Sequence, residues 1–314
     1  MFLHAACKVS LTVIHAPQSS TQSPSEEADL TPTGIDVSST PVAVNNATAD
    51  VTIFLLLGAL RRVHNPYTAV RASQWRGPAF QLGHDPKNKL LGILGMGGIG
   101  REVAARARAF GMKIQYHNRS RLAPELEQGA QYVSFEELVG TSDVLSLNCS
   151  LRKETVGIIG RKEFELMKQG VVIVNTARGK LIDEAALVDA LDSGKVYSAG
   201  LDVYEEEPKV HEGLLKNPNV VLLPHIGTGT VETQASWAFR CIGALTNNLA
   251  ERYGVTGAGE LEECRREGDS DYAGARTATQ GKIIANLSYT FVVRGLYPSS
   301  EPRWLTSCSQ TSNP

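Results

Sequence analysis

The chain has 314 residues, 42% hydrophobic and 20% charged, with a formal net charge of -2 at pH 7. That length holds one large or two modest domains with real cores, and the composition is that of an ordinary soluble globular protein. Near-neutral charge gives no electrostatic basis for a nucleic-acid or membrane partner, and five scattered cysteines without a C-x-x-C pair point to free thiols in a reducing compartment and no metal site.

The opening "MFLHAACKVSLTVIHA" makes a poor signal peptide because Lys8 interrupts its apolar part, and the final "SNP" is no peroxisomal address. The cytoplasm is the expected location. Residues 16–41 are rich in Ser, Thr, Pro and Glu and read as loop or disorder. The apolar run Val51 to Leu60 is too short for a bilayer, which needs about 20 such residues. Bounded by Arg61 and Arg62, it fits a buried helix from about Asn46 to Arg62, followed by an irregular stretch to Asn88.

From Leu90 the pattern alternates strand and helix, the mark of a parallel sheet covered on both faces. Strands are predicted at Leu90–Leu94, Met112–His117, Asp143–Asn148, Val171–Asn175, Ser198–Asp202 and Asn219–Leu223. One intervening helix opens with the capping box "SFEE" (Ser134, Glu137) and another begins at Asp183. A long helix is predicted from about Val231 to Tyr253. The fold class is thus α/β, a doubly wound parallel sheet over 46–230, with 1–45 before it, a C-terminal helix over 231–254 and a tail over 255–314.

Between the first strand and its helix stands "GMGGIG", in which Gly95, Gly97 and Gly100 match G-x-G-x-x-G. Gly95 permits a tight turn, Gly97 lets a diphosphate approach the backbone and Gly100 lets the helix pack on the strand. Free N–H groups at the helix start face the anion. An NAD site closes the second strand with an acid that holds the ribose. Here that stretch is "QYHNRSR", with Asn118 in the acid's place and Arg119 and Arg121 behind it. A carboxylate repels a 2′-phosphate and an Arg pairs with it, so NADP is the expected cofactor, with NAD as the alternative.

Three further strand ends carry charge: "VVIVNTARG" with Arg178, "SAGLDVYEEEP" with Asp202 and Glu207, and "NVVLLPHIG" with His225. Read singly, each has an ordinary explanation: a capping Arg, a solvated acid, a loop histidine. Together, at the ligand-binding edge of an open sheet, they suit reduction of a 2-keto acid. Arg178 binds the carboxylate and polarises the ketone, while His225 gives a proton and Glu207 keeps it oriented and protonated.

These motifs, with "TPVAVNNATADVTIFLLLGALRR" and "LLPHIGT", resemble the D-isomer-specific 2-hydroxyacid dehydrogenases, and within them the glyoxylate/hydroxypyruvate reductase branch, over residues 34–237. The resemblance implies that Arg178, Glu207 and His225 are catalytic. It places Gly98 and Ile99 at the diphosphate, and Cys149, Thr155, Thr176 and Ala177 along the cofactor cleft. Asp202 would hold the nicotinamide amide. Ser120, within the "HNRSR" typical of NADP-preferring members, and Gly227 complete the expected cofactor contacts, with Arg178 and His225 also in reach. A small 2-keto or 2-hydroxy acid is the implied substrate, and a homodimer built on the helix after Val51 the implied assembly.

The chain departs from the family in three places. The family's "L-x-x-P-L-T" loop appears as "LNCSLRKET", with Ser150 and Arg152 replacing Pro and Thr. The resemblance also implies that 46–230 is a Rossmann cofactor domain preceded by a substrate domain of roughly a hundred residues, of which 1–45 is a remnant, and that 255–314 is a divergent tail. The substrate domain's glycine-containing loop, close to "GAGYD", grips the substrate carboxylate opposite Arg178. No glycine precedes Gly34, and "APQSSTQSPSEEADLTPT" stands in its place. Residues 255–314 resemble nothing in the family. The expectation is an intact cofactor half, NADPH binding retained but weakened, and low reductase turnover. Two other classes share this fold: a cofactor-sensing, corepressor-like interaction protein, and a catalytically inactive relative that still binds NAD(P).

Overall fold

A strand covered on both faces reads as a near-continuous apolar run, and Val171–Asn175, apolar but for its last residue, is buried at all five positions. It is β5 of a seven-stranded, all-parallel sheet in a computed structural model that describes residues 42–77 and 80–236. The other strands are β1 (Leu90–Leu94), β2 (Lys113–His117), β3 (Gln131–Tyr132), β4 (Val144–Leu147), β6 (Val196–Leu201) and β7 (Val220–Leu222). Their order is β3-β2-β1-β4-β5-β6-β7. The chain builds outward from β1 to β3, then crosses back to lay β4 on the other side of β1. The carboxyl ends of β1 and β4 therefore flank a topological switch point, where open sheets of this kind bind ligands.

Helix α1 (Asn45–Leu60) and α3 (Gly98–Ala109) lie on one face of the sheet. The other face is covered by α5 (Phe135–Thr141), α6 (Arg161–Leu166) and α7 (Glu184–Asp192). Alternation along β5 serves both layers: Val172 and Val174 pack with α1 and α3, while Val171 and Ile173 pack with Leu138, Phe164 and Leu187. Short helices α2 (His64–Arg71), α4 (Pro124–Glu127) and α8 (Glu212–Lys216) complete the described elements of this kind.

The predicted buried helix is α1. Its exposed positions are the single stripe Asn46, Asp50 and Phe54, spaced four apart. Arg106 of α3 bridges that stripe, meeting Asp50 at 2.6 Å and Asn46 at 3.1 Å. The helix ends two residues before the predicted limit because Arg62 takes a left-handed φ of 46°. The predicted strands recur, β1 and β5 to the residue and the rest trimmed or moved by one or two residues. Helix α2 lies in the stretch read as irregular. It buries only Ala69 and carries Pro66 in its first turn, so it has no apolar period to read. Residues 231–236 begin a helix. The rest of the predicted C-terminal helix, the tail and the substrate-domain remnant up to residue 41 lie outside the described residues.

Leu55 is fully buried, and its Cβ lies 2.8 Å from the point a side chain at Gly200 of β6 would occupy. A cavity at this helix–sheet contact cannot close without moving α1. Leu55→Ala is expected to cost about 2–5 kcal/mol, read as a lowered urea midpoint with unchanged slope.

Candidate active site

The turn after β1 is where the switch point is tightest. Gly95 has φ +96°, and a Cβ there would lie 2.5 Å from the Cα of Cys149, the residue that leaves β4. Only glycine fits. At Gly100 a Cβ would sit 2.6 Å from the Gly95 carbonyl oxygen, so α3 packs close against the turn. Gly97 differs, since nothing lies within 4 Å of a Cβ there. It faces open space at the N-terminus of a 12-residue helix that no side chain caps. Among the described residues, the N–H groups of Gly98, Ile99 and Gly100 have no acceptor. Open space, free donors and a positive dipole end suit a diphosphate, so the residues fit a dinucleotide.

Beside this cradle Asn118 follows β2. Its Oδ1 accepts the Met96 N–H at 2.7 Å, and its carbonyl accepts the Tyr132 hydroxyl at 3.1 Å. Arg119 and Ser120 are exposed, and among the described residues Arg119 has no hydrogen-bond or ion-pair partner. Arg121 does not share that freedom: it pairs with Glu127 at 2.8 Å. Cys149 is half-buried, and burial pushes its thiol up to about 11, so it stays protonated. Thr155 closes its own loop, accepting the Arg152 N–H at 2.7 Å and donating to the Ser150 carbonyl at 2.9 Å. Thr176 is buried and shares a 2.7 Å hydrogen bond with Thr52 of α1. Ala177 is half-buried beside it.

Three loops converge farther along the same edge. After β5, buried Asn175 shapes the first: its amide donates to the Arg178 carbonyl at 2.9 Å and its Oδ1 accepts the Ala177 N–H at 3.0 Å. Next, Gly179 rests on the second loop so closely that a Cβ would fall 1.8 Å from the Tyr204 carbonyl carbon. Tyr204 in turn donates its hydroxyl to the Leu223 carbonyl at 2.7 Å, tying the second loop to the third.

Glu207 and His225 meet at 2.8 Å between Oε2 and Nδ1. Burial pushes the Glu207 carboxyl up, but the hydrogen bonds from His225 and the Tyr204 N–H, with the charges of His225 and Arg178, outweigh it. The carboxyl is held below its ordinary value. An ionised carboxylate only accepts, so Nδ1 carries the proton and Nε2 is left to exchange one. His225 itself has φ 56°, a strained value for a residue with a Cβ. Fully buried Asp202 holds it there, its two oxygens each accepting one N–H, from Ile226 and Gly227, at 2.8 Å. Burial raises the Asp202 carboxyl despite these bonds. It thus braces the histidine loop, at the edge where a nicotinamide amide is its predicted contact. An open cavity of about 380 Å³ lies behind the pair, lined mainly by Pro208, Val210, Leu222 and Pro224.

Sequence reading missed Asn175, Tyr204 and Glu127. The fold brings Glu127 to Tyr116 and Tyr204 to Leu223, whereas Asn175 braces its own turn through Ala177 and Arg178, a local signal that the sequence does carry. Among the described residues no helix is long and apolar enough to cross a membrane, and no group of three or more His, Cys, Asp or Glu could hold a metal.

Residues 53–227 match the family described as D-isomer specific 2-hydroxyacid dehydrogenase, NAD binding domain. The chain is 71% identical over 201 residues, 64% of its length, to a protein of Aspergillus oryzae named 4-methyl-2-oxopentanoate reductase A, and spans 61% of that relative. It superimposes on a glyoxylate reductase from Paecilomyes thermophila with a TM-score of 0.69 at 62% identity, covering 73% of this chain and 69% of that one. An NADPH-dependent glyoxylate/hydroxypyruvate reductase from Sinorhizobium meliloti, in complex with NADP and malonate, matches with a TM-score of 0.63 at 34% identity, over 67% of this chain and 66% of that one. With the family match running from α1 to the loop that Asp202 braces, the chain belongs to the D-isomer specific 2-hydroxyacid dehydrogenases through their NAD binding domain.

Proposed function

We propose that the protein is a cytoplasmic, NADP-dependent reductase of small 2-keto acids of the glyoxylate or hydroxypyruvate type, yielding the D-2-hydroxy acid. The observation that carries this reading is the Glu207–His225 pair at 2.8 Å, with the Arg178 charge acting on the same carboxylate. Arg178 binds the substrate carboxylate and polarises the ketone. His225 delivers a proton from Nε2 to the carbonyl oxygen, and Glu207 stabilises the imidazolium and fixes the ring. A bound reduced nicotinamide supplies the hydride. Gly95, Gly97, Gly98, Ile99 and Gly100 would hold the diphosphate, with Asn118, Arg119 and Ser120 at the adenosine ribose. Cys149, Thr155, Thr176, Ala177, Asp202 and Gly227 would line the remaining cleft.

Residues 46–230 form the cofactor domain in this reading, with 1–45 contributed to the substrate domain, 231–254 a C-terminal helix and 255–314 a tail. A homodimer on the α1 side is supported by exposed Phe54, Tyr67, Val70, Trp75 and Leu82. The Aspergillus relative's name favours one extension, a branched 2-keto acid such as 4-methyl-2-oxopentanoate.

NADPH oxidation with glyoxylate, hydroxypyruvate, pyruvate and 4-methyl-2-oxopentanoate tests the reading. Turnover with any of them supports it and ranks the substrates. Quenching of NADPH fluorescence with no turnover replaces it with the cofactor-sensing or inactive class. An Arg–phosphate pair contributes about 1.5–3 kcal/mol. Arg119→Ala should therefore weaken NADPH binding by about tenfold or more and leave NADH nearly unchanged; equal losses would remove the NADP preference. Glu207→Gln should lower turnover on the order of 100-fold. It should also change acid stability. The depressed Glu207 carboxyl contributes stability that is present above its unfolded value and lost as pH falls through its folded value. Thermal midpoints of the variant should thus fall less steeply than wild type on acidification, and parallel curves would deny the carboxylate this role.

A further inference from the structure

The turn after β2 is pinned by a buried polar cluster that none of the chemistry above uses. Tyr116 is fully buried at the end of β2. Its hydroxyl donates to Glu127 Oε1 at 2.6 Å and accepts the Leu122 N–H at 3.0 Å. Glu127 is only 7% exposed, although it sits in the four-residue helix α4 near the surface. Arg121 closes on it side-on, Nε to Oε1 at 2.8 Å and Nη2 to Oε2 at 3.1 Å. Two-point pairing fixes the guanidinium in a plane that a single contact would leave free to swing. The Arg121 and Tyr116 hydrogen bonds hold the Glu127 carboxyl at about 2, so the pair persists across the physiological range.

The turn therefore carries two arginines with different fates. Arg121 is committed to Glu127, and among the described residues Arg119 is committed to none. We propose that Glu127 is a specificity-determining positioning residue. By holding Arg121 against α4 it leaves Arg119 as the one guanidinium of this turn open to a ribose 2′-phosphate, and so caps the strength of that recognition. The proposal rests on the NADP reading, and it concerns how that preference is limited rather than whether it exists.

The test compares adenosine 2′,5′-bisphosphate with 5′-AMP, two ligands that differ by the 2′-phosphate alone. Both are titrated against the full chain by calorimetry, for wild type, Glu127→Gln, Arg121→Ala and the double variant. The readout is the ratio of the two affinities. Glu127→Gln should raise that ratio by about threefold or more and steepen its fall with salt, because a second free cation then faces the phosphate. Arg121→Ala should leave the ratio within about twofold of wild type, and the double variant should abolish the gain. Tyr116→Phe, which keeps the ion pair, should not move the ratio. An unchanged ratio in Glu127→Gln overturns the proposal, as does an Arg121→Ala loss as large as that of Arg119→Ala. If Glu127→Gln does not fold, the Arg121→Ala arm decides alone. A wild-type ratio near one would sink the NADP reading on its own, while a rise in Glu127→Gln would still show Arg121 being withheld.

Discussion

Every strand of the sheet runs in the same direction, and the rest of the molecule follows from that constraint. Parallel neighbours cannot be joined by hairpins, so each connection must cross a face and return. The crossovers supply the helices that bury both faces, and they deliver every β–α loop to one edge. Gly95, Asn118, Cys149, Arg178, Glu207 and His225 are scattered over more than a hundred positions, yet all follow strands and all reach that edge.

Within that edge the polar groups do two kinds of work. Glu207 turns to the His225 ring, and the free N–H groups of α3 meet open space. Asp202, Asn175 and Tyr204 face inward, and each spends its hydrogen bonds on loop backbone. The second kind makes the first possible. A histidine in a left-handed conformation returns to an ordinary one unless its neighbours over-determine it, and Asp202 removes that freedom with two charge-assisted bonds in a fully buried setting.

The sequence made six of the seven strands legible, and β1 and β5, whose burial on both faces leaves apolar runs, match to the residue; two-residue β3, with neither position fully buried, left no run to read. The glycine turn was legible too, since each glycine has a distinct steric reason that the spacing reveals. The ion pair of Arg121 was not. Its partner Glu127 is one more acid in "PELEQ", and nothing local says that Tyr116 draws it inward. Tyr204 escaped for the same reason, and helix α2 because it buries a single side chain. Period and motif report what an element needs from the core. They are silent on which loop a side chain will brace.

Helix α1 precedes the glycine turn in the chain, but its roof-beam contacts come late. Its Ala59 carbonyl accepts the Ser198 hydroxyl across 139 residues, and Thr52 meets Thr176 across 124. A nascent chain therefore leaves the apolar half of this helix, Val51 to Leu60, without its full cover until β6 has emerged from the ribosome. Such non-local closure folds slowly and leaves sticky surface waiting. The same helix that closes the finished domain is thus among the last of its apolar surfaces to be covered while the domain is being made.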